Sequence, residues 1–359
     1  MRRTAEARAG ARLPRRGPRA GALVALVVTA LILAGCGSTG AGTGKSGSVT
    51  LTLYSGQHQQ TTDALAQAFQ QESGITVKVR SNDEDTFADE LVTEGRRTPA
   101  DVFFTENTPP LEYLQQKGLL SAVDPSTLAK VASRFDSPQG DWVGVSARVS
   151  VLIYNPAMIS AAQLPKRAID LADPRYQGKL AIAPGETDFQ PIVTSMLHAY
   201  GRARTLSWLE GVKRNGASHD YPDNETLANQ VNRGQAAFAL INQYYWWRLG
   251  AEIGDARLHS KIVYLANDDP GYVLDVSGAA VLKASKHQAA AEKFLAFLVS
   301  AKGQGIIAHS ISYEYPIGSG VKIAWPETPF EALHPNPINL AELGTGATAI
   351  ALLKQVQLL

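Results

Sequence analysis

Residues 49–81 read VTLTLYSGQHQQTTDALAQAFQQESGITVKVRS, and their order decides the fold. VTLTLYS (49–55) alternates apolar with polar residues and is rich in β-formers, the pattern of a strand. TTDALAQAFQQESG (61–74) puts apolar side chains at Leu65, Ala68 and Phe69 and closes on Gly74, a helix with a C-terminal cap. ITVKVRS (75–81) returns to period two, with Ile75, Val77 and Val79 on one face. Further along, TFADELVTEG (86–95) predicts a helix and ADVFFTE (100–106) a short buried strand. PPLEYLQQKGLL (109–120) predicts a helix whose proline pair suits its first turn. Strands alternating with helices predict an α/β fold with a parallel, doubly wound sheet, whose ligands sit at the carboxyl ends of the strands.

A second unit of the same kind follows: KLAIA (179–183), FQPIVTSMLHAYG (189–201) and QAAFALIN (235–242). Strand-like stretches VSARVSVLIYN (145–155) and YVLDVSGAAVL (272–282) flank it. If both cross between units, the chain forms two lobes with a cleft between them. Residues 49–148 then begin lobe one, 149–272 form lobe two, and 273–359 return to lobe one and add C-terminal helices. Those helices are expected in AAAEKFLAFLVSAKGQGIIAH (289–309) and near residues 341–358.

The 359-residue chain is 45% hydrophobic and 19% charged, a globular composition that excludes collagen-like and wholly disordered classes. Residues 1–35 hold seven arginines and one acid, leaving 27 basic and 32 acidic residues, a net of −5, for the rest. A mildly acidic body argues against nucleic acid as a partner. The basic start runs into ALVALVVTALILA (22–34), too short for a mature membrane span but suited to a secretory signal. It ends Leu33-Ala34-Gly35-Cys36, with the chain's only cysteine last, and resembles the lipobox of bacterial lipoproteins. The expectation is a signal peptide over 1–35, lipidation at Cys36, and a Gly/Ser/Thr-rich tether over 36–48. The body is then extracytoplasmic, touching the cell membrane only through its lipid anchor.

No GxSxG, Walker A, HExxH or GxGxxG motif is present, and the seven histidines are scattered, so nothing supports an enzyme. Four short segments stand out instead at strand ends or helix starts: YSGQHQQ (54–60), DVFFTE (101–106), DNET (223–226) and NQYYWW (242–247). Taken singly, each has a plain structural alternative. His58 suits a loop before a helix, Glu106 a solvated or capping position, and the aromatic run a core. Adjacent tyrosines on a regular strand point to opposite faces, so for both to reach one ligand the strand must already have ended.

Together, in this order, YSGQHQQ, ADVFFTE, DNETLANQVNRGQAAFALINQYYW and SYEYPIGSGV (312–321) resemble the bacterial periplasmic ferric-ion-binding proteins, the substrate-binding components of iron ABC importers. The resemblance implies the two-lobed type II periplasmic binding protein fold and ligation of Fe(III) by His58, Glu106, Tyr244 and Tyr245. It also implies a synergistic anion, carbonate or phosphate, or water in the remaining positions, with Asn224 and Asn242 as anion contacts and Arg148 as a weaker one. The implied partners are a permease and its ATPase, and the binding protein itself is expected to be a monomer. The chemistry agrees: Fe(III) is small and hard and prefers anionic oxygen, and two phenolates with one carboxylate balance its charge. The same fold could instead carry an organic anion, a polyamine or a chelated metal, the aromatics then stacking on it. A hydrolase is the alternative from another class.

One segment departs from the family pattern. Where small residues with free amides would cradle an anion, the chain reads Pro184-Gly185-Glu186-Thr187-Asp188-Phe189. Asp188 or Thr187 is expected to cap the following helix. Two carboxylates in a phosphate's neighbourhood predict iron binding that depends little on phosphate, with water, carbonate or one of these carboxylates completing the shell.

Overall fold

The computed structural model describes residues 49–318 and 320–359. The signal peptide, Cys36 and the tether expected over 1–48 lie outside these residues. Nine strands run in chain order: β1 Thr50–Ser55, β2 Thr76–Ser81, β3 Val102–Thr105, β4 Val143–Tyr154, β5 Leu180–Ala181, β6 Phe238–Asn242, β7 Lys261–Val263, β8 Leu274–Val281 and β9 Tyr315–Pro316. Along the sheet the order is β2-β1-β3-β8-β4-β6-β5, with β7 and β9 added against β4.

The opening β-α-β unit forms as read. β1 pairs in parallel with β2 and with β3, and the helix Gln59–Ser73 ends on Gly74 at φ 72°, a left-handed cap that glycine adopts without strain. β8 then joins antiparallel between β3 and β4, so the sheet is mixed. β4 is the spine of the molecule. Its first half pairs with β8, its second half, Ser150 to Tyr154, pairs with β6, and all twelve of its residues are buried. Burial on both faces gives the apolar run Val151 to Tyr154, each fully buried Val or Leu contributing about 1.5–3 kcal/mol, while Ser146, Arg148 and Ser150 are buried polar groups before it. The other crossing is shorter than the sequence suggested: residues 264–273 lead from β7 into β8, fastened where Ser150 Oγ accepts from Val273 N at 2.8 Å and donates to the Gly271 carbonyl at 2.7 Å.

Two further elements fall short of their patterns, and one runs beyond its own. The strand at KLAIA stops at Ala181, because Pro184-Gly185 turns the chain toward the helix beginning at Phe189. That helix breaks at Gly201 (φ 74°, ψ 166°), where the sequence pattern ended it, and then continues to Gly216. The expected C-terminal helix is two, Leu340–Leu343 and Ala347–Gln355, divided by Gly344 and Gly346 at φ 60° and 73°. Among the described residues, no helix is long and apolar enough to cross a membrane. The architecture is a two-lobed α/β fold in which β1, β3 and β6 deliver their carboxyl ends toward one cleft.

Candidate metal centre

His58 stands three residues past β1, at the residue preceding the helix Gln59–Ser73. Gln57 fixes the turn. Its side-chain amide donates to Ser277 Oγ at 2.8 Å and to Glu314 Oε2 at 2.9 Å, while its oxygen accepts from the His58 amide at 2.7 Å. Gly56 is required by close approach, since a Cβ there would lie 2.5 Å from the Glu84 Cβ. Glu84, buried in the first turn of the helix Glu84–Glu94, organises the loop after β3. Its carboxylate accepts from the Glu106 amide at 2.8 Å, the Asn107 amide at 2.9 Å and the Asn107 side chain at 2.7 Å.

So placed, Glu106 meets His58: Oε1 lies 2.9 Å from His58 Nδ1. Burial, the strongest single influence, pulls the His58 pKa down, but the charge and hydrogen bond of Glu106 outweigh it and the net shift is upward. Burial pushes Glu106 up, and His58, Arg148 and Arg248 overcome that, so the net shift is downward. Both directions describe an ion pair. The other ring nitrogen, His58 Nε2, is buried with no hydrogen-bond partner, an imidazole nitrogen open to a metal.

β6 ends at Asn242, and the tyrosines fall on the first turn of the helix Gln243–Ile253. The strand has therefore stopped before the pair, and both side chains point the same way: the rings lie 4.1 Å apart, and both hydroxyls donate to Asp188 Oδ2, from Tyr244 at 3.3 Å and from Tyr245 at 2.9 Å. The Tyr244 ring meets the His58 ring edge-on at 5.1 Å. Burial first, then the Asp188 charge, raises both phenol pKa values well above the ordinary value, so without a cation both are neutral. The four side chains line one open cleft together with Glu186 and Arg248. Among the described residues, no three His, Cys, Asp or Glu side chains are placed to hold a metal ion, so a metal here would depend on the tyrosines.

The three residues expected to contact an anion are not among those lining this cleft, though Arg148 and Asn224 bond residues of it. The Arg148 guanidinium is fully buried, bonded to Asp188 Oδ1 at 3.0 Å, to the Glu106 carbonyl and to the Asn107 side chain, and paired with Glu314 at 3.5 Å. Asn224 donates its backbone amide to Glu186 Oε1 at 3.0 Å. Asn242 is buried with neither amide atom hydrogen-bonded. Both asparagines, with Asp188, line a small, mostly apolar pocket bounded by Ile182, Phe189 and Ile241. Asp188 does not cap its helix, contrary to the expectation from sequence: it makes no capping bond because the tyrosines and Arg148 hold its carboxylate. Burial, then the neighbouring Asp188 charge, raises the Glu186 pKa to about 8.

Residues 55–305 match the family of bacterial extracellular solute-binding proteins. The chain is 35% identical to the Fe(3+)-binding periplasmic protein of Serratia marcescens, over 82% of this chain and 87% of that protein. It is similar to the crystal structure of iron-bound HitA from Pseudomonas aeruginosa, with a TM-score of 0.82, 41% identity, and coverage of 86% of this chain and 99% of that one. It is also similar to Trichodesmium IdiA (FutA) in complex with iron and citrate, with a TM-score of 0.76, 28% identity, and coverage of 86% and 99%. From the sheet order, the site at the strand ends and these matches together, the chain belongs to the bacterial extracellular solute-binding proteins, in their group of periplasmic ferric-ion-binding proteins.

Proposed function

We propose that this protein captures Fe(III) in the cleft and delivers it to the permease and ATPase of an ABC importer. Two phenolates from Tyr244 and Tyr245, the Glu106 carboxylate and the neutral His58 Nε2 form the donor set. The observation that carries the reading is the convergence of these four side chains, from the ends of three strands distant in sequence, with the tyrosines on one helical turn. Their three negative charges match a trivalent hard cation. A bound cation strips protons from groups that otherwise keep them, so capture is coupled to proton release. The names of the relatives, an Fe(3+)-binding periplasmic protein among them, support the same cargo.

Lobe one (49–148 and 273–359) supplies His58 and Glu106, lobe two (149–272) supplies the tyrosines, and closure of the lobes assembles the shell. Cys36, acylated after removal of residues 1–35, holds the monomer to the outer side of the cytoplasmic membrane by the tether 36–48. Catalysis is no part of this reading, and Asn224, Asn242 and Arg148 are not needed as anion contacts. The test is a titration with ferric citrate: phenolate-to-iron charge transfer colours the protein, whereas aromatic stacking on an organic ligand does not. An absent band, or one unchanged in both Tyr244→Phe and Tyr245→Phe, overturns the assignment.

A further inference from the structure

At the end of the sheet away from the cleft, β1 and β3 begin and β8 finishes, and four exposed cations gather there. Two adjoining hollows share Arg96, Thr98 and Ala284; Lys283 lines one of them, and Arg97 and Lys286 line the other. We propose that this basic end is a membrane-facing surface, lying on the anionic lipid headgroups of the membrane to which Cys36 tethers the chain. The inference rests on the tether reading above and is independent of the iron site.

The topology concentrates the charge. β3 runs parallel to β1 and antiparallel to β8, with Val102 opposite Val281, so the turn Gly95–Arg97 and the loop after β8 lie side by side. All four cations are exposed, and among the described residues none of them forms an ion pair. One acid lines the two hollows, Asp101. It is buried, and its oxygens are taken by the Thr52 amide at 2.8 Å and by the Ser285 hydroxyl. Glu94, two residues before Arg96, accepts from the hydroxyls of Thr98 at 2.6 Å and Tyr54 at 3.2 Å. The cations are left facing solvent, available to an anionic surface.

The chain's own path selects that surface. Thr50, the first residue of β1, lines the second hollow, so residues 36–48 lead from Cys36 to the basic end. Those thirteen residues reach at most about 45 Å. A folded body of about 310 residues has a radius of gyration of about 20 Å and is about 50 Å across. To set its opposite face on the bilayer, the tether would have to run more than about 60 Å around it. Each Lys or Arg at an anionic surface strengthens the attraction about fivefold, so four favour the seated protein by up to roughly 500- to 1000-fold at low salt. His58 lies beyond the far end of β1, whose six residues span about 20 Å. Seated on its basic end, the protein keeps the cleft open to solution for capture. Delivery to a permease then requires it to lift and turn, which suits an attraction that salt and distance weaken.

The test places the full chain, made in a host that processes lipoproteins, in phosphatidylcholine vesicles with or without phosphatidylglycerol. Cys36 is the chain's only cysteine and is acylated, so one engineered thiol takes a donor dye, with an acceptor dye on the headgroups. Pro99→Cys reports from the edge of the hollow, and Met158→Cys from beyond Tyr154 at the end of β4. Energy transfer from Pro99→Cys is expected to rise at least about twofold with phosphatidylglycerol at low salt, and to lose that gain in about 0.5 M salt. Transfer from Met158→Cys should not rise. Combining Arg96→Gln, Arg97→Gln, Lys283→Gln and Lys286→Gln should abolish the gain, with circular dichroism unchanged. If that variant does not fold, Arg97→Gln with Lys286→Gln should weaken seating by about 25-fold. A Pro99→Cys signal indifferent to phosphatidylglycerol overturns the proposal, as does a folded charge variant that responds like the parent. Flotation with neutral vesicles in high salt tests the lipid anchor separately. Should the anchor reading fail there, flotation with phosphatidylglycerol vesicles at low salt decides: binding that the charge variant loses upholds the basic end, and no binding overturns it.

Discussion

Loading iron should release a countable number of protons. Tyr244 and Tyr245 are neutral without the cation, because burial and then Asp188 raise both phenols well above their ordinary range. Binding as phenolates therefore frees two protons per iron at any pH near neutrality. His58 adds a third over part of the range. Its folded pKa is raised, Glu106 outweighing burial, so the protonated form persists above the pH at which a free histidine loses its proton. A ligating nitrogen must give that proton up. Glu106 is shifted downward and already ionised, so it contributes none. The release is thus three per iron below the His58 pKa and two above it. By linkage, each proton displaced changes affinity about tenfold per pH unit, equivalent to about 1.4 kcal/mol. Affinity should therefore fall roughly 1000-fold per unit in acid and roughly 100-fold per unit above the transition. Isothermal titration calorimetry in buffers of different ionisation enthalpy measures the count, with iron supplied as a nitrilotriacetate chelate and the chelate's own protons subtracted. A release of one proton or none near neutral pH would refute phenolate ligation by the pair, whatever colour the protein shows.

The remaining expectations use simpler measurements. Tyr244→Phe and Tyr245→Phe should each weaken iron binding by about 100-fold or more in chelator competition, since removing even a supporting residue costs roughly 10- to 100-fold. His58→Ala should lose less, because water replaces a neutral ligand, and the ranking fails if it loses all iron while the tyrosine variants keep it. Gly56→Ala places a methyl 2.5 Å from the Glu84 Cβ. It should lower stability by about 1–3 kcal/mol in denaturant melts and loosen the chelator midpoint as well; a neutral result in both would mean the His58 turn can shift freely. Small-angle scattering should show a smaller radius of gyration on loading, and an unchanged radius would mean that iron does not draw the lobes together.

The fold was legible because its signals are local. Alternation in residues 49–55, the apolar spacing of residues 61–74 and the left-handed cap at Gly74 each act within a few residues of themselves. What misled were places where tertiary geometry decides. KLAIA has a strand's composition but lies before a Pro-Gly turn, so only two of its residues pair. The C-terminal apolar run looks like one helix until Gly344 and Gly346 take positive φ.

The candidate donors were legible for a different reason: a histidine, a glutamate and a tyrosine pair stand where strands stop, and the rule that ligands gather at carboxyl ends applies to each in turn. The residues that hold them were not. Gln57, Glu84 and Arg148 are buried polar groups with partners 22 to 257 positions away, as with Glu84 and Glu106 or Gln57 and Glu314, beside the local bond from His58 to Gln57. No window of sequence contains such a pair. Asp188 shows the difficulty most sharply. Beside Phe189 at the start of a helix, an aspartate has every local feature of a cap, and sequence alone favours that reading. Only the fold reveals that its oxygens are claimed by Arg148, 40 residues before it, and by two tyrosines 56 and 57 residues after it. A cap needs one neighbouring amide. Here a buried guanidinium holds one carboxylate oxygen and two phenols donate to the other, contacts that no neighbouring residue announces.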